Sequence, residues 1–352
     1  MLDGGLLTIY QNCLNQLSQY ILDKDIEVIA LVGKKPLFEY QNIKIIEFPK
    51  SKKSWIFRIY YEYCYFKKLS KQLKPDIWLS MHDVSPFVIC EKQFVYCHNP
   101  NIFYKPKLKD WLLEYKVGIF YYVYKFIYLL NIKSNKAVFV QQHWIKKEFE
   151  SIFKIKNIVV APPSFITDKN IPKINLDDNK INFFYPTFPR VFKNIELIAD
   201  AVKLLPIAIR NQILVHVTIA NSDNKYASYI VNKFSLPEIN YIGKIDRETV
   251  FGYYQTTDCL LFTSKLETWG LPISEAKAFQ LPMLLANLPY AKESVGNYEK
   301  VSFFNVDNAA ELSNLIQNFV SKTIEYDGNK KINQNEFEVN NWFALFDFII
   351  KQ

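Results

Sequence analysis

The stretch DCLLFTSKLETWGLPISEAKAF, Asp258 to Phe279, passes from an apolar run through a Gly-containing segment into a pattern that Pro272 constrains. Asp258 to Phe262 is short and apolar, which is the signal of a buried strand. Pro272 cannot occupy a helix interior but fits a first turn. The stretch therefore predicts a strand, a tight loop holding Glu267 and Gly270, and a helix opening at about Pro272 with Glu275 in its first turn. Glu267 and Glu275 are eight residues apart, a spacing that leaves two side chains out of register on one continuous helix. Set on a loop and a helix start, they can instead address two ends of one ligand. Such a helix start also presents unpaired N–H groups and a positive dipole end, the usual seat of a phosphate.

The same strand-then-helix alternation recurs through most of the chain and predicts an α/β protein with parallel sheets. In the first half, strands are expected at Glu27 to Val32, Ile43 to Phe48, Asp76 to Met81, Phe94 to Cys97, Ala137 to Val140 and Asn157 to Val160. Helical patterns lie between them at Leu6 to Leu22, Trp55 to Leu73, Lys107 to Leu130 and Trp144 to Phe153. Ala161-Pro162-Pro163-Ser164 and the polar run Asp168 to Lys180 then read as a hinge. The second half restarts with strands at Ile181 to Tyr185, Ile213 to Ala220, Ile239 to Ile242, Asp258 to Phe262, Pro282 to Leu285 and Val301 to Phe304. This gives domains over 1–165 and 166–335, and a C-terminal helical segment over 336–352 packing back on the first. A doubly wound domain normally begins with a strand leading into a Gly loop. Here Gly4-Gly5 and a helix come first, so the first strand of the N-terminal domain reads as missing.

A length of 352 residues fits two domains, and a hydrophobic content of 49% is ample for both cores. The five cysteines are scattered with no C-x-x-C pair, which argues for free thiols in a reducing compartment and against a disulfide framework or structural zinc. No signal-peptide pattern opens the chain, and Val117 to Leu130, interrupted by tyrosines and Lys125, falls short of the ~20 apolar residues a spanning helix needs. A soluble, cytoplasmic protein is expected. Residues 1–165 hold 24 Lys and Arg against 14 Asp and Glu, while the remainder is nearly balanced. That asymmetry fits either an anionic partner or a solvated lysine-rich surface. Nucleic acid is disfavoured because the lysines are dispersed and no recognition signature is present. The aromatic and basic segment Lys105 to Lys125 fits either a membrane-surface helix or a core-facing helix with one wet side.

The order of motifs resembles a known family. Gly4-Gly5, His98-Asn99-Pro100, VFVQQHWIKKEF and IVVAPPSF make the first half, and FFYPTFPRVFKNIELIADA followed by NYIGKIDRETVFGYYQTTDCLLFTSKLETWGLPISEAKAF makes the second. Together they are similar to the retaining glycosyltransferases of family 4, bacterial O-antigen and capsule enzymes among them, whose GT-B fold sets two Rossmann-like domains face to face across a cleft. The resemblance covers essentially the whole chain and is loosest before residue 90.

What the resemblance implies is a donor that is a nucleotide diphosphate sugar, with no cofactor and no metal. Glu267 and Glu275 match the E-x7-E motif, with Glu267 holding the donor hexose near its reacting carbon and Glu275 the ribose. The amides around Thr268, Trp269, Gly270 and Leu271 would meet the sugar and phosphates. Arg190 and Lys193 would take the departing diphosphate, although Thr187-Phe188-Pro189 stands where the family usually carries a Gly before the Arg. His98 would touch the donor sugar, Ile242 and Gly243 would pack beside the base, and Gly4 and Gly5 would approach the donor phosphates and the acceptor. The implied acceptor is a sugar hydroxyl of a glycan, lipid-diphosphate-linked, at the inner membrane face. A catalytically inactive sugar-nucleotide-binding protein, or a binder of anionic surfaces or nucleic acid, are the rival readings. His143 and His216 are read as structural.

Overall fold

The computed structural model describes residues 5–33, 40–52, 54–164, 171–328, 337 and 339–352. The chain divides into two compact units, one of residues 1–99, 123–165 and 336–352, the other of residues 100–122 and 166–335.

In chain order the first part comprises α1 (Gly5–Tyr20), β1 (Val28–Val32), β2 (Ile43–Glu47), α2 (Trp55–Tyr60), α3 (Phe66–Leu73), β3 (Ile77–Ser80), β4 (Lys92–Cys97), α4 (Leu108–Leu129), β5 (Ala137–Val140), α5 (His143–Phe153) and β6 (Ile158–Val160). Every strand pair is parallel. β3-β4-β5-β6 form one sheet and β1-β2 a separate ribbon, and among the described residues no strand joins the two. Phe94, Val95 and Tyr96 of β4 and Val138, Phe139 and Val140 of β5 are fully buried. Continuous apolar runs of this kind mark strands covered on both faces. The helical pattern from Trp55 to Leu73 is divided, because a π-helical turn, Tyr61–Tyr65, separates α2 from α3. The final helix, α13 (Trp342–Lys351), docks on this unit. Tyr20 donates a hydrogen bond to Asp347 at 2.6 Å, and the Trp342 ring lies 5.7 Å from that of Tyr96.

The second unit runs β7 (Ile181–Tyr185), α6 (Ile195–Leu204), α7 (Ile207–Arg210), β8 (Ile213–Val217), α8 (Lys225–Lys233), β9 (Ile239–Tyr241), α9 (Arg247–Thr256), β10 (Cys259–Phe262), α10 (Leu271–Ala278), β11 (Met283–Ala286), α11 (Pro289–Val295), β12 (Val301–Phe304) and α12 (Ala309–Val320). Its single parallel sheet has the order β12-β11-β10-β7-β8-β9. Numbered within the unit this is 6-5-4-1-2-3, the strand order of doubly wound nucleotide-binding folds, whose direction of winding reverses between β7 and β10. Ligands in such sheets bind outside the carboxyl ends of the strands at that reversal. Residues 100–122 pack with this unit, although in sequence they lie between β4 and β5 of the first.

Candidate functional site

Two loops flank the winding reversal, one after β7 and one after β10, and backbone bonds lace them together. Lys265 N–H donates to Phe192 C=O at 2.7 Å, and the Thr263 hydroxyl lies 3.0 Å from the Lys193 carbonyl and 3.1 Å from that of Asn194. Tyr185, the last residue of β7, donates to the same Lys193 carbonyl at 2.8 Å. Asn194 takes a left-handed φ of 54° as the residue before α6, a conformation that Asn tolerates better than most side chains. This lacing sets the Lys193 ammonium against the Glu267 carboxylate as a charge-assisted hydrogen bond. Two of the residues expected from the sequence to work on one donor are thus brought together from different loops.

Arg190 lies on the same post-β7 segment but turns elsewhere, to the carboxylate of Glu114. The segment before it is held without the Gly expected there. Thr187 and Thr218 exchange two hydrogen bonds, at 2.6 and 2.8 Å, and Asn224 donates to the Pro189 carbonyl at 2.7 Å. The sequence places Thr218 in a strand over Ile213 to Ala220; β8 ends at Val217, so Thr218 belongs to the loop that follows.

After β10 the chain turns at Gly270, whose φ of +76° is in the left-handed region. The left-handed backbone favours Gly, and a Cβ there would press on Ile273 Cδ1 at 3.1 Å. The helix opens at Leu271, one residue before Pro272, which places Glu275 in the second turn rather than the first. Trp269 is pinned at both ends, its indole N–H donating to Ser274 at 2.9 Å and its carbonyl accepting from Ser294. Thr268 lies in the loop between Glu267 and Trp269.

Glu275 is 2% exposed and answered by two residues of α9. Tyr254 donates to Oε2 at 2.9 Å. Arg247 Nη1 stands 2.6 Å from Oε1, close enough for an ion pair though off the line of a hydrogen bond. Burial, and then the Glu275 charge, push the Tyr254 phenol well above its ordinary pKa, so it remains a donor. Sequence reading passed over Arg247 and Tyr254, yet their i, i+7 spacing puts them on one helix face. Ile242 and Gly243 follow β9, their N–H groups donating to the carbonyls of Val217 and Ile219 at 3.0 Å each. Gly243 adopts a φ of +73°. Every site residue expected in the second half thus lies on loops or helix starts at the carboxyl edge of one sheet.

In the first unit His98 follows β4 and is buried. Asp83, after β3, receives the backbone N–H groups of His98 and Asn99 on one carboxylate oxygen, at 2.6 and 2.8 Å. Burial lowers the His98 pKa, with Asp83 opposing that shift. Gly5 opens α1, and Gly4 lies outside the described residues. His216 donates from Nε2 to Asn182 Oδ1 at 2.9 Å inside the second sheet, and His143 opens α5. Among the described residues no group of three or more His, Cys, Asp or Glu side chains is placed to hold a metal ion.

Residues 166–337 match the family described as glycosyl transferases group 1. Over these residues, just under half of the chain, the sequence is that of a glycosyl transferases group 1 domain. Solved structures of similar fold accompany the match. Sucrose-phosphate synthase (tll1590) from Thermosynechococcus elongatus is 16% identical with a TM-score of 0.67, over 99% of this chain and 93% of that one. The apo form of the lipopolysaccharide outer core galactosyltransferase WaaB is 14% identical with a TM-score of 0.65, over 99% and 96%. Anabaena Alr3699/HepE in complex with UDP-glucose is 13% identical with a TM-score of 0.64, over 99% and 95%. The chain spans about half, 51%, of the length of a further neighbour, TarM. No curated protein sequence matches. The chain has α/β architecture with parallel sheets in two units, and the matched residues lie almost entirely in the second.

Proposed function

We propose that this chain is a glycosyltransferase that moves a hexose, with retention, from a nucleotide diphosphate sugar to a sugar hydroxyl of a lipid-diphosphate-linked glycan in cell-surface polysaccharide assembly. The observation that carries the donor half is the meeting of Lys193 and Glu267 at the winding reversal of the second sheet. Glu267 accepts from the hexose hydroxyls near the reacting carbon, and Lys193 with Arg190 neutralises the departing diphosphate. Glu275 takes the ribose hydroxyls, the amides of Trp269 to Leu271 face sugar and phosphate, and Ile242 and Gly243 flank the base through main-chain contact. His98 contributes a contact to the donor sugar. In the reaction the anomeric carbon–oxygen bond breaks and its electron pair goes to the leaving diphosphate. The acceptor oxygen attacks from the same face, and its proton passes to the diphosphate.

The acceptor half rests on the surface of the first unit. Ile56, Phe57, Ile59 and Tyr60 of α2 are exposed, as are Phe126 and Leu130 at the end of α4. Trp55 and Tyr124, with ring centroids 5.8 Å apart, join the two elements. Exposed apolar side chains grouped in this way favour an interaction surface, and the basic excess of residues 1–165 supports an anionic membrane face as its partner. Among the described residues no helix is long and apolar enough to cross a membrane, so the proposed contact is peripheral, on the cytoplasmic face of the inner membrane.

Release of nucleotide from UDP-, GDP- and dTDP-sugars by the wild type and by Glu267→Ala tests the donor half. A large loss in the variant is expected, whereas equal rates would leave a nucleotide-sugar-binding protein without transfer. Flotation with phosphatidylglycerol vesicles against phosphatidylcholine vesicles tests the surface, and equal recovery with both would remove the membrane assignment.

A further inference from the structure

Arg190 has an internal anion on it. The Glu114 carboxylate takes the Arg190 guanidinium on one oxygen, and its other oxygen accepts the Val191 N–H at 3.2 Å. A guanidinium and an adjacent backbone N–H are the donors a phosphate group calls for. Glu114 therefore satisfies the same pair that a diphosphate would use.

Several features bring it there. Glu114 interrupts α4 with φ −149° and ψ 70°, values outside the helical region. Around the break the Trp111 ring folds over Gly118, where a Cβ would collide with it, and stacks on Tyr122 at 6.2 Å. Any larger residue at 118 would expel the ring, so Gly118 permits the fold that sets the Glu114 turn. The segment is clamped beside Arg190 by further contacts. Lys109 pairs with Glu196 of α6 at 3.1 Å and sits 4.6 Å from the ring centre of Tyr229 on α8, and the Tyr104 ring lies 5.7 Å from Phe192. All these residues belong to one compact unit. Glu114 is nearly buried, whereas the Arg190 side chain is 48% exposed, so an arriving ligand can reach the guanidinium before the carboxylate leaves.

We propose that Glu114 is a displaceable stand-in for the donor diphosphate, so that binding of the donor at Arg190 requires Glu114 to leave. This rests on the assignment of Arg190 to the diphosphate. The affinity of such a site falls in proportion to the fraction of molecules in which it is open. If the Glu114 contact is held in about nine of ten molecules, removing it tightens binding on the order of tenfold. The residue acts through Arg190 and has no part in bond making.

Calorimetric titration of the full chain with UDP, GDP, dTDP, uridine and inorganic pyrophosphate tests this, comparing wild type, Glu114→Gln, Glu114→Ala and Gly118→Ala. Tighter pyrophosphate and UDP binding in both Glu114 variants is expected, on the order of tenfold, with uridine unchanged. Gly118→Ala reaches the same result by a separate route, releasing the turn rather than the charge. Folded Glu114 variants that bind pyrophosphate no better than wild type would overturn the proposal; weaker binding would make Glu114 a residue that positions Arg190 for its ligand. Failure of all forms to bind UDP, GDP or dTDP, with pyrophosphate still tightened by Glu114→Gln, would remove the nucleotide-sugar assignment and keep the displacement.

Discussion

Lys193 and Glu267, 74 residues apart in sequence, form an ion pair at the carboxyl edge of the second sheet. Each is the other's counter-charge until a ligand arrives, and a donor would take the sugar hydroxyls to one and the diphosphate to the other. Lys193→Met should therefore lower kcat/KM for nucleotide release by about 10²-fold or more, the scale seen when one preorganised charge is removed from a transition state. Steady-state kinetics decide it, and a change of less than about threefold would place Lys193 outside the machinery.

Glu275 makes a different prediction, because its carboxylate is buried. Tyr254→Phe removes the phenol that donates to Oε2 at 2.9 Å and leaves a buried carboxylate oxygen short of a partner, at a cost of about 1–3 kcal/mol. Urea unfolding should show the loss. If Glu275 holds the ribose, KM for the donor should rise more than kcat falls.

Gly270 sits at φ +76° with Ile273 close above it. Gly270→Ala should destabilise the fold by about 1–2 kcal/mol from the left-handed backbone alone, and the shifted loop should lower activity further. Thermal unfolding with and without UDP separates the effects. An unchanged Tm would mean the loop relaxes freely to another conformation.

His216 predicts a pH dependence. Burial lowers its pKa to about 4, against an ordinary 6.5. Its neutral form is the one the fold accepts, so the contribution is complete above pH 6.5 and is lost as pH falls from there towards 4. Between pH 7.5 and pH 5 the loss is about 2 kcal/mol. Comparing the urea stability of the wild type with that of His216→Gln at both values isolates this residue. Parallel curves would show that other groups dominate acid unfolding in this range.

The helix that binds Arg190 shows where sequence reading stops. Lys107 to Leu130 reads as one helix of the first domain, and its residues are indeed helical over most of that span. Nothing local signals the break at Glu114. It follows from Trp111 finding room over Gly118, and from Arg190, 76 residues away, accepting the carboxylate. The π-helical turn at Tyr61–Tyr65 escaped for the same reason, since a bulge leaves the apolar pattern around it nearly intact.

By itself the sequence determined the alternation of strands and helices, the Gly270 turn into a Pro-started helix, and the two acids at eight residues' spacing. These depend on periodicity and on the allowed angles of single residues, which are local properties. The tertiary structure alone decided the order β12-β11-β10-β7-β8-β9, which brings the loops after β7 and β10 side by side. It also decided that residues 100–122 pack with the second unit and deliver Glu114 to Arg190. Strand neighbours and ion pairs of that range are chosen by burial of whole surfaces against one another, and no window of sequence contains both partners.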